Sequence, residues 1–182
     1  DDEKKVIKGL HLLTIKPMLY VANVSEDEVA DPSENKYVKM VQEYAAAEGA
    51  QVIVVCAKIE EEISELEDEE KKEFLAELGI AESGLDQLIK ASYSLLGLAT
   101  YFTAGVQEVR AWTFRKGMKA PQCAGIIHSD FERGFIRAET VAFDDLVEYG
   151  SKSAAKEAGR VRSEGKEYVV QDGDVMEFLF NV

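Results

Sequence analysis

The residues best placed to do chemistry form a short run, Asn23-Val24-Ser25-Glu26, delivered by the apolar stretch Met18-Leu19-Tyr20-Val21-Ala22. An asparagine amide both donates and accepts hydrogen bonds, whereas an ionised carboxylate only accepts. A purine edge suits such a pair. Guanine offers N1–H and N2–H2 side by side to a carboxylate; adenine offers an N6–H2 donor next to an N1 acceptor. Taken alone, the pattern is that of a turn asparagine followed by an acidic loop. A second run, Val54-Val55-Cys56-Ala57-Lys58, ends the next apolar stretch. Taken alone, it reads as a core strand followed by a surface lysine. Order and spacing together favour a pocket for a nucleotide base, with Asn23, Val24, Glu26, Cys56, Ala57 and Lys58 as its residues.

Other reactive side chains are sparse. His128 and Asp130 have acid–base character but no nucleophile or third member near them in sequence, so a structural or surface role is assigned to His128. His11, beside the helix that Pro17 terminates, has no partners. Cys56 and Cys123 lie far apart and form neither a disulfide framework nor a zinc site. Cys56, inside an apolar run, reads as a buried reduced thiol and points to the cytoplasm. No Gly-x-x-x-x-Gly-Lys-Ser/Thr occurs, and Gly9, Gly49, Gly79 and Gly84 stand in unsuitable contexts. The chain therefore offers no backbone cradle for phosphates and no Mg²⁺ hydroxyl ligand. No catalytic residue and no metal site are assigned, and the chain by itself is expected to be inactive, with no cofactor bound.

The elements that position these runs follow from periodicity. Val6, Ile7, Leu10 and Leu13 have helical spacing up to Pro17. Met18–Ala22 reads as a strand. Ser33 is expected to cap a helix through Glu48, with Tyr37, Val38, Val41, Tyr44 and Ala45 facing inward and Gly49 ending it. The β-branched run 52–56 suits a strand covered on both faces. Strand, helix, strand makes a βαβ unit with parallel strands. Two strands do not make a stable parallel sheet, so a larger sheet is implied. The acidic stretch Glu60–Glu73 reads as a solvated helix face. Helices are expected at Glu69–Leu78 and Gly84–Leu98, the latter with Leu85, Leu88, Ile89, Tyr93 and Leu96 inward.

Beyond about residue 99 the texture turns β-rich, with strands expected at Val106–Phe114, Phe135–Phe143, Tyr168–Val170 and Val175–Val182. Pro121–Arg133 reads as helical, with Ala124, Ile127 and Phe131 inward. Asp172-Gly173-Asp174 marks a turn. Strands around one helix suggest a small β-grasp domain. The fold class is thus α/β followed by α+β.

The net charge of −14 is uneven: residues 1–98 hold 10 Lys/Arg against 22 Asp/Glu, and residues 99–182 hold 11 against 13. The first part repels polyanions. Any nucleic-acid contact would fall to the second, through Arg110, Arg115, Lys116 and Lys119, or the later group Lys152, Lys156, Arg160, Arg162 and Lys166. No apolar run approaches the roughly 20 residues of a membrane span, so no membrane partner is expected. The opening Asp1-Asp2-Glu3-Lys4-Lys5 reads as a helix already under way, and the chain is expected to be part of something longer.

Asn-Val-Ser-Glu after an apolar strand resembles the base-reading motif of P-loop GTPases, usually Asn-Lys-x-Asp; the missing Lys and longer acid should weaken the fit to guanine. Cys56-Ala57-Lys58 stands where such proteins carry a Ser-Ala-Lys-type loop. The segments 126–131, 134–138 and 168–175 resemble a TGS domain. Together with Lys16-Pro17-Met18-Leu19-Tyr20-Val21-Ala22-Asn23, Thr100-Tyr101-Phe102-Thr103-Ala104-Gly105, Arg110-Ala111-Trp112-Thr113-Phe114 and Phe178-Leu179-Phe180-Asn181-Val182, the whole chain closely resembles the Obg-related YchF-type ATPases. The resemblance implies residues 1–11 as the end of a helical coiled-coil insertion, 12–98 as the C-terminal half of a P-loop G domain, and 99–182 as a TGS domain. It further implies a cytoplasmic, ribosome-associated hydrolase preferring ATP, with GTP also possible, and using Mg²⁺ in the full-length protein. The partners implied are the missing N-terminal half of the G domain and the ribosome or ribosomal RNA; no DNA is expected. The competing expectation is a non-enzymatic TGS module that binds RNA or the ribosome.

Overall fold

The computed structural model describes residues 6–7, 9–105 and 108–181. They divide into two compact units, Asp1–Leu96 and Gly97–Val182. The helical pattern expected over 3–13 falls partly outside the described residues; within them Val6, Leu10 and Leu13 are exposed.

In the first unit, β1 (Leu19–Asn23) and β2 (Gln51–Val55) pair in parallel, Leu19 opposite Gln51 and Asn23 opposite Val55. After the single turn α1 (Glu26–Val29), the crossover runs through α2 (Lys36–Glu48). The cap of α2 is Asn35, not Ser33: Asn35 Oδ1 accepts from the backbone N–H groups of Tyr37 and Val38 at 2.9 and 3.1 Å. Ser33 belongs instead to a 3-10 turn opened by Pro32 and capped by Asp31. Val38 and Ala45 are buried, but Tyr37 and Tyr44 are 65% and 59% exposed, so the inward face of α2 is narrower than its apolar stripe. Gly49, at φ 70°, ends the helix.

The acidic stretch is not one solvated helix. It breaks into α3 (Ala57–Ser64) and α4 (Asp68–Glu77), and Ile59, Ile63 and Leu75 join Cys56 in a small core. Burying such aliphatic side chains stabilises by about 1.5–3 kcal/mol each, enough to override the charge of their neighbours. In α5 (Gly84–Leu96) the inward face is rotated from the expected one: Leu85, Ile89, Tyr93 and Leu96 are exposed, whereas Leu88, Ala91, Ser92 and Leu95 are half-buried. Gly84 is packed so closely that a Cβ there would lie 2.7 Å from Val55 Cγ1. Strand β2 is covered less fully than its composition suggests, with Ile53 buried and Val52, Val54 and Val55 half-buried.

The second unit is a five-stranded mixed sheet in the order β4-β3-β7-β5-β6. Its strands are β3 (Leu98–Ala104), β4 (Val109–Arg115), β5 (Phe135–Ala142), β6 (Arg162–Glu164) and β7 (Asp174–Phe180). β3 and β7 are parallel neighbours, while β3–β4 and β5–β7 are antiparallel. Helices α6 (Ala120–Ile127) and α7 (Ser129–Arg133) supply the layer that the sheet grasps. Ala99, Tyr101, Phe114, Cys123, Ala124, Phe135, Ala138 and Met176 form the core between them. The Tyr101 hydroxyl is buried and donates to the Cys123 carbonyl at 2.9 Å, satisfying both groups. A second small core lies under α8 (Phe143–Tyr149) and α9 (Lys152–Glu157).

Residues 106, 107 and 182 of two expected strands lie outside the described residues. Tyr168–Val170 is not a strand; Val169 makes an isolated bridge to Lys119. Tyr168 is drawn elsewhere, its hydroxyl donating to buried Asp174 at 2.7 Å. Among the described residues no helix is long and apolar enough to cross a membrane.

Candidate nucleotide-base site

Parallel pairing places the carboxyl ends of β1 and β2 side by side, where ligands of open α/β sheets bind. The Val24 backbone N–H donates to the Val55 carbonyl at 2.9 Å, extending the ladder one step past Asn23. The Asn23 side chain then crosses the gap: its Oδ1 accepts from the Ala57 backbone N–H at 2.9 Å. With Oδ1 engaged, what the amide has left to offer a ligand is its Nδ2 donors. The two loops read from sequence are thus one structure, fixed by a bond spanning 34 residues.

Glu26, at the first position of α1, forms an ion pair with Lys58 at the start of α3. Both side chains are exposed, 42% and 65%, so ligand can reach them. Lys58 is also 3.8 Å from Glu62, and the Glu26 carboxylate holds its ammonium above the usual lysine range. Cys56 is the buried thiol that its apolar run implies. Its thiol packs with Ile59, Ile63 and Leu75 and is 5% exposed, so only its backbone is left for a ligand.

Two carboxylates that the motif did not single out build this site. Glu28 accepts from the Ser25 hydroxyl at 2.8 Å and from Asn35 Nδ2 at 2.9 Å, closing a capping box on α1 and joining it to the cap of α2. Those donors, Ser25 first, hold its pKa below the carboxylate norm. The Ser25-x-x-Glu28 spacing is a readable capping signal. Glu60 accepts from the Gly84 and Leu85 backbone N–H groups at 2.7 and 3.1 Å, tying α3 to the start of α5. That link spans 24 residues and has no local signature.

Among the basic residues of the second unit, Arg137, Lys152 and Lys156 meet at Glu139, whereas Arg110 and Arg115 do not share a face. Arg110 and Arg115 differ by an odd number of positions on β4 and so point to opposite faces. Arg110 lies 4.2 Å over the Trp112 ring and 3.7 Å from Glu108. Lys119 pairs with Glu167, while Arg115 and Lys116 have no ion pair among the described residues. Lys152 is held by Glu139 and Glu177, and Arg160 by Asp145. His128 Nδ1 accepts from the Asp130 backbone N–H at 3.2 Å, capping α7. Among the described residues no group of three or more His, Cys, Asp or Glu is arranged to hold a metal.

With this geometry in hand, relatives decide the family. The chain is 76% identical over its whole length to the ribosome-binding ATPase YchF of Bacillus subtilis (strain 168), of which it covers 50%. The chain belongs to the YchF family. It is also 56% identical over its length to the ribosome-binding ATPase YchF of Escherichia coli O157:H7, covering 49% of that protein. A family model, YchF-GTPase_C, described as "Protein of unknown function (DUF933)", matches residues 98–181. Among solved structures, that of the Schizosaccharomyces pombe YchF GTPase superposes with a TM-score of 0.84 at 37% identity, over 98% of this chain and 47% of that one. The chain thus spans about half the length of the YchF relatives it matches. The fold is that of the YchF GTPase structure: part of a P-loop NTPase parallel sheet, followed by a β-grasp module.

Proposed function

We propose that this chain is the base-recognising and TGS-bearing part of a ribosome-associated P-loop nucleotide hydrolase, with ATP preferred and GTP accepted. The observation that carries this reading is the Asn23–Ala57 hydrogen bond, which assembles one loop from the carboxyl ends of two parallel strands beside the Glu26–Lys58 pair. Asn23, Val24, Glu26 and the backbone of Cys56–Lys58 contact or shape the base. The names of the Bacillus subtilis and Escherichia coli relatives, ribosome-binding ATPases, support the same activity and partner.

In this reading residues 1–11 end a helical insertion, residues 12–98 complete a G domain, and residues 99–182 are the TGS domain, acting in the cytoplasm. The phosphate loop and Mg²⁺ ligands belong to the other half of the G domain, so this chain alone does not hydrolyse nucleotide. The opposite facing of Arg110 and Arg115, with Arg110 and Lys119 already beside carboxylates, supports a nucleotide protein over a stand-alone RNA module. Ribosome contact through the TGS domain would then rest on shape and a few exposed cations.

Calorimetric titration of a full-length protein carrying this chain tests the proposal. ATP should bind more tightly than GTP, and the isolated 182-residue chain should show no turnover. Equal affinities, or hydrolysis by the isolated chain, would contradict it.

A further inference from the structure

The geometry points to Lys58 as the residue that sets base selectivity, acting as an internal counter-ion that keeps Glu26 from serving guanine. This rests on the base-site reading above. The two acids of the 26–28 segment have separate duties. Glu28 is consumed by Ser25 and Asn35, whereas Glu26 makes no capping bond and is held by Lys58. The backbone that carries Lys58 is anchored there, because the N–H of its neighbour Ala57 is bound by Asn23. Asn23, Ala57, Lys58 and Glu26 therefore form one closed circuit around the ends of β1 and β2.

The circuit has a consequence for the base. A free carboxylate would accept from guanine N1–H and N2–H2, and would repel the N1 lone pair of adenine. The ammonium of Lys58 cancels both effects, weakening guanine and tolerating adenine. Lys58 also lies 3.8 Å from Glu62, so removing its charge leaves two uncompensated acids beside the base. An exposed pair of this kind alters an equilibrium by about two- to fivefold.

The test is the ratio of GTP to ATP affinity in the full-length protein, by equilibrium binding. Lys58→Met, which keeps the aliphatic stem and drops the charge, should raise that ratio about fivefold. Lys58→Arg should hold it near the parent value. In a Glu26→Gln background, Lys58→Met should no longer move it. An unchanged ratio in Lys58→Met, or an equal loss of both nucleotides, overturns the inference. Asn23→Ala separates the two levels: weaker binding of both nucleotides with an unmoved Lys58→Met ratio leaves the base site standing and removes Lys58 from it. If Asn23→Ala leaves both affinities unchanged, the base-site reading itself fails. Should Asn23→Ala not fold, protection of Lys58 from chemical acetylation by saturating ATP makes the same distinction without mutation.

Discussion

Asn23 and Ala57 are joined side chain to backbone across two loops, with Oδ1 accepting from the amide at 2.9 Å. The bond does for the loops what the parallel ladder does for the strands: it fixes the order in which polar groups are presented. Asn23→Ala removes it and leaves the Ala57 N–H to water. A hydrogen bond of this kind contributes about 0.5–1.5 kcal/mol, so nucleotide affinity of the full-length protein should fall by up to about tenfold. Equilibrium binding with either nucleotide reads this out.

Glu26 and Glu28 should behave as opposites. Glu28→Ala opens the α1 capping box and the link to Asn35, so it should lower the thermal midpoint. Glu26→Ala should leave the midpoint near the parent value and change the ATP-to-GTP preference instead. Because hydrogen bonding depresses the Glu28 pKa, its contribution is present above the ordinary carboxylate value of 4.5 and is lost as pH falls below it. Melting curves in mildly acidic buffers check the sign; a Glu28→Ala variant should lose less stability on acidification than the parent.

Asp174 is the most heavily used buried carboxylate. It is 3% exposed and accepts from Arg162 Nη2 at 3.1 Å, the Tyr168 hydroxyl at 2.7 Å and the Gln171 backbone N–H at 2.9 Å. Asp174→Ala strands all three donors. It should destabilise the second unit by about 3 kcal/mol, read as a lower denaturant midpoint.

The same unit should weaken in alkali. Burial pushes the Cys123 thiol from its ordinary 9.0 to about 12. Burial first, then the bond to Asp174, pushes Tyr168 from 10.0 to about 12. Tyr101 is raised by burial as well. The unfolded chain releases these protons at ordinary values while the folded chain retains them, so stability is full below about pH 9 and declines as pH rises toward 12. Urea titrations across that window should show a falling midpoint.

The two joined loops at the ends of β1 and β2 were legible because their signal is local: an apolar run, then Asn, then an acid, with the next β-branched run followed by Ala57-Lys58. The cover of the helices was not. The stripe of Leu85, Ile89 and Leu96 on α5 identifies an apolar face, but periodicity does not say what covers it, and those residues are exposed. Ile59 and Ile63 show the reverse, core residues hidden in an acidic stretch whose charge outweighs them by composition. Helices α8 and α9 escaped notice because they are 7 and 6 residues long, too short for a period, although Ser151 caps the second one visibly. Cys56 was legible as a buried thiol because it lies inside an apolar run. Linear proximity groups Arg110 with Arg115, and β-strand alternation separates them.

The central claim is that the carboxyl ends of β1 and β2 hold the base. Photolabelling of a full-length protein carrying this chain with an azido-adenine nucleotide, followed by peptide mapping, tests it most directly. Label should fall within 23–26 or 56–58, suppressed by excess ATP and less well by GTP. Label confined to other segments, with those two loops unmodified, would contradict it.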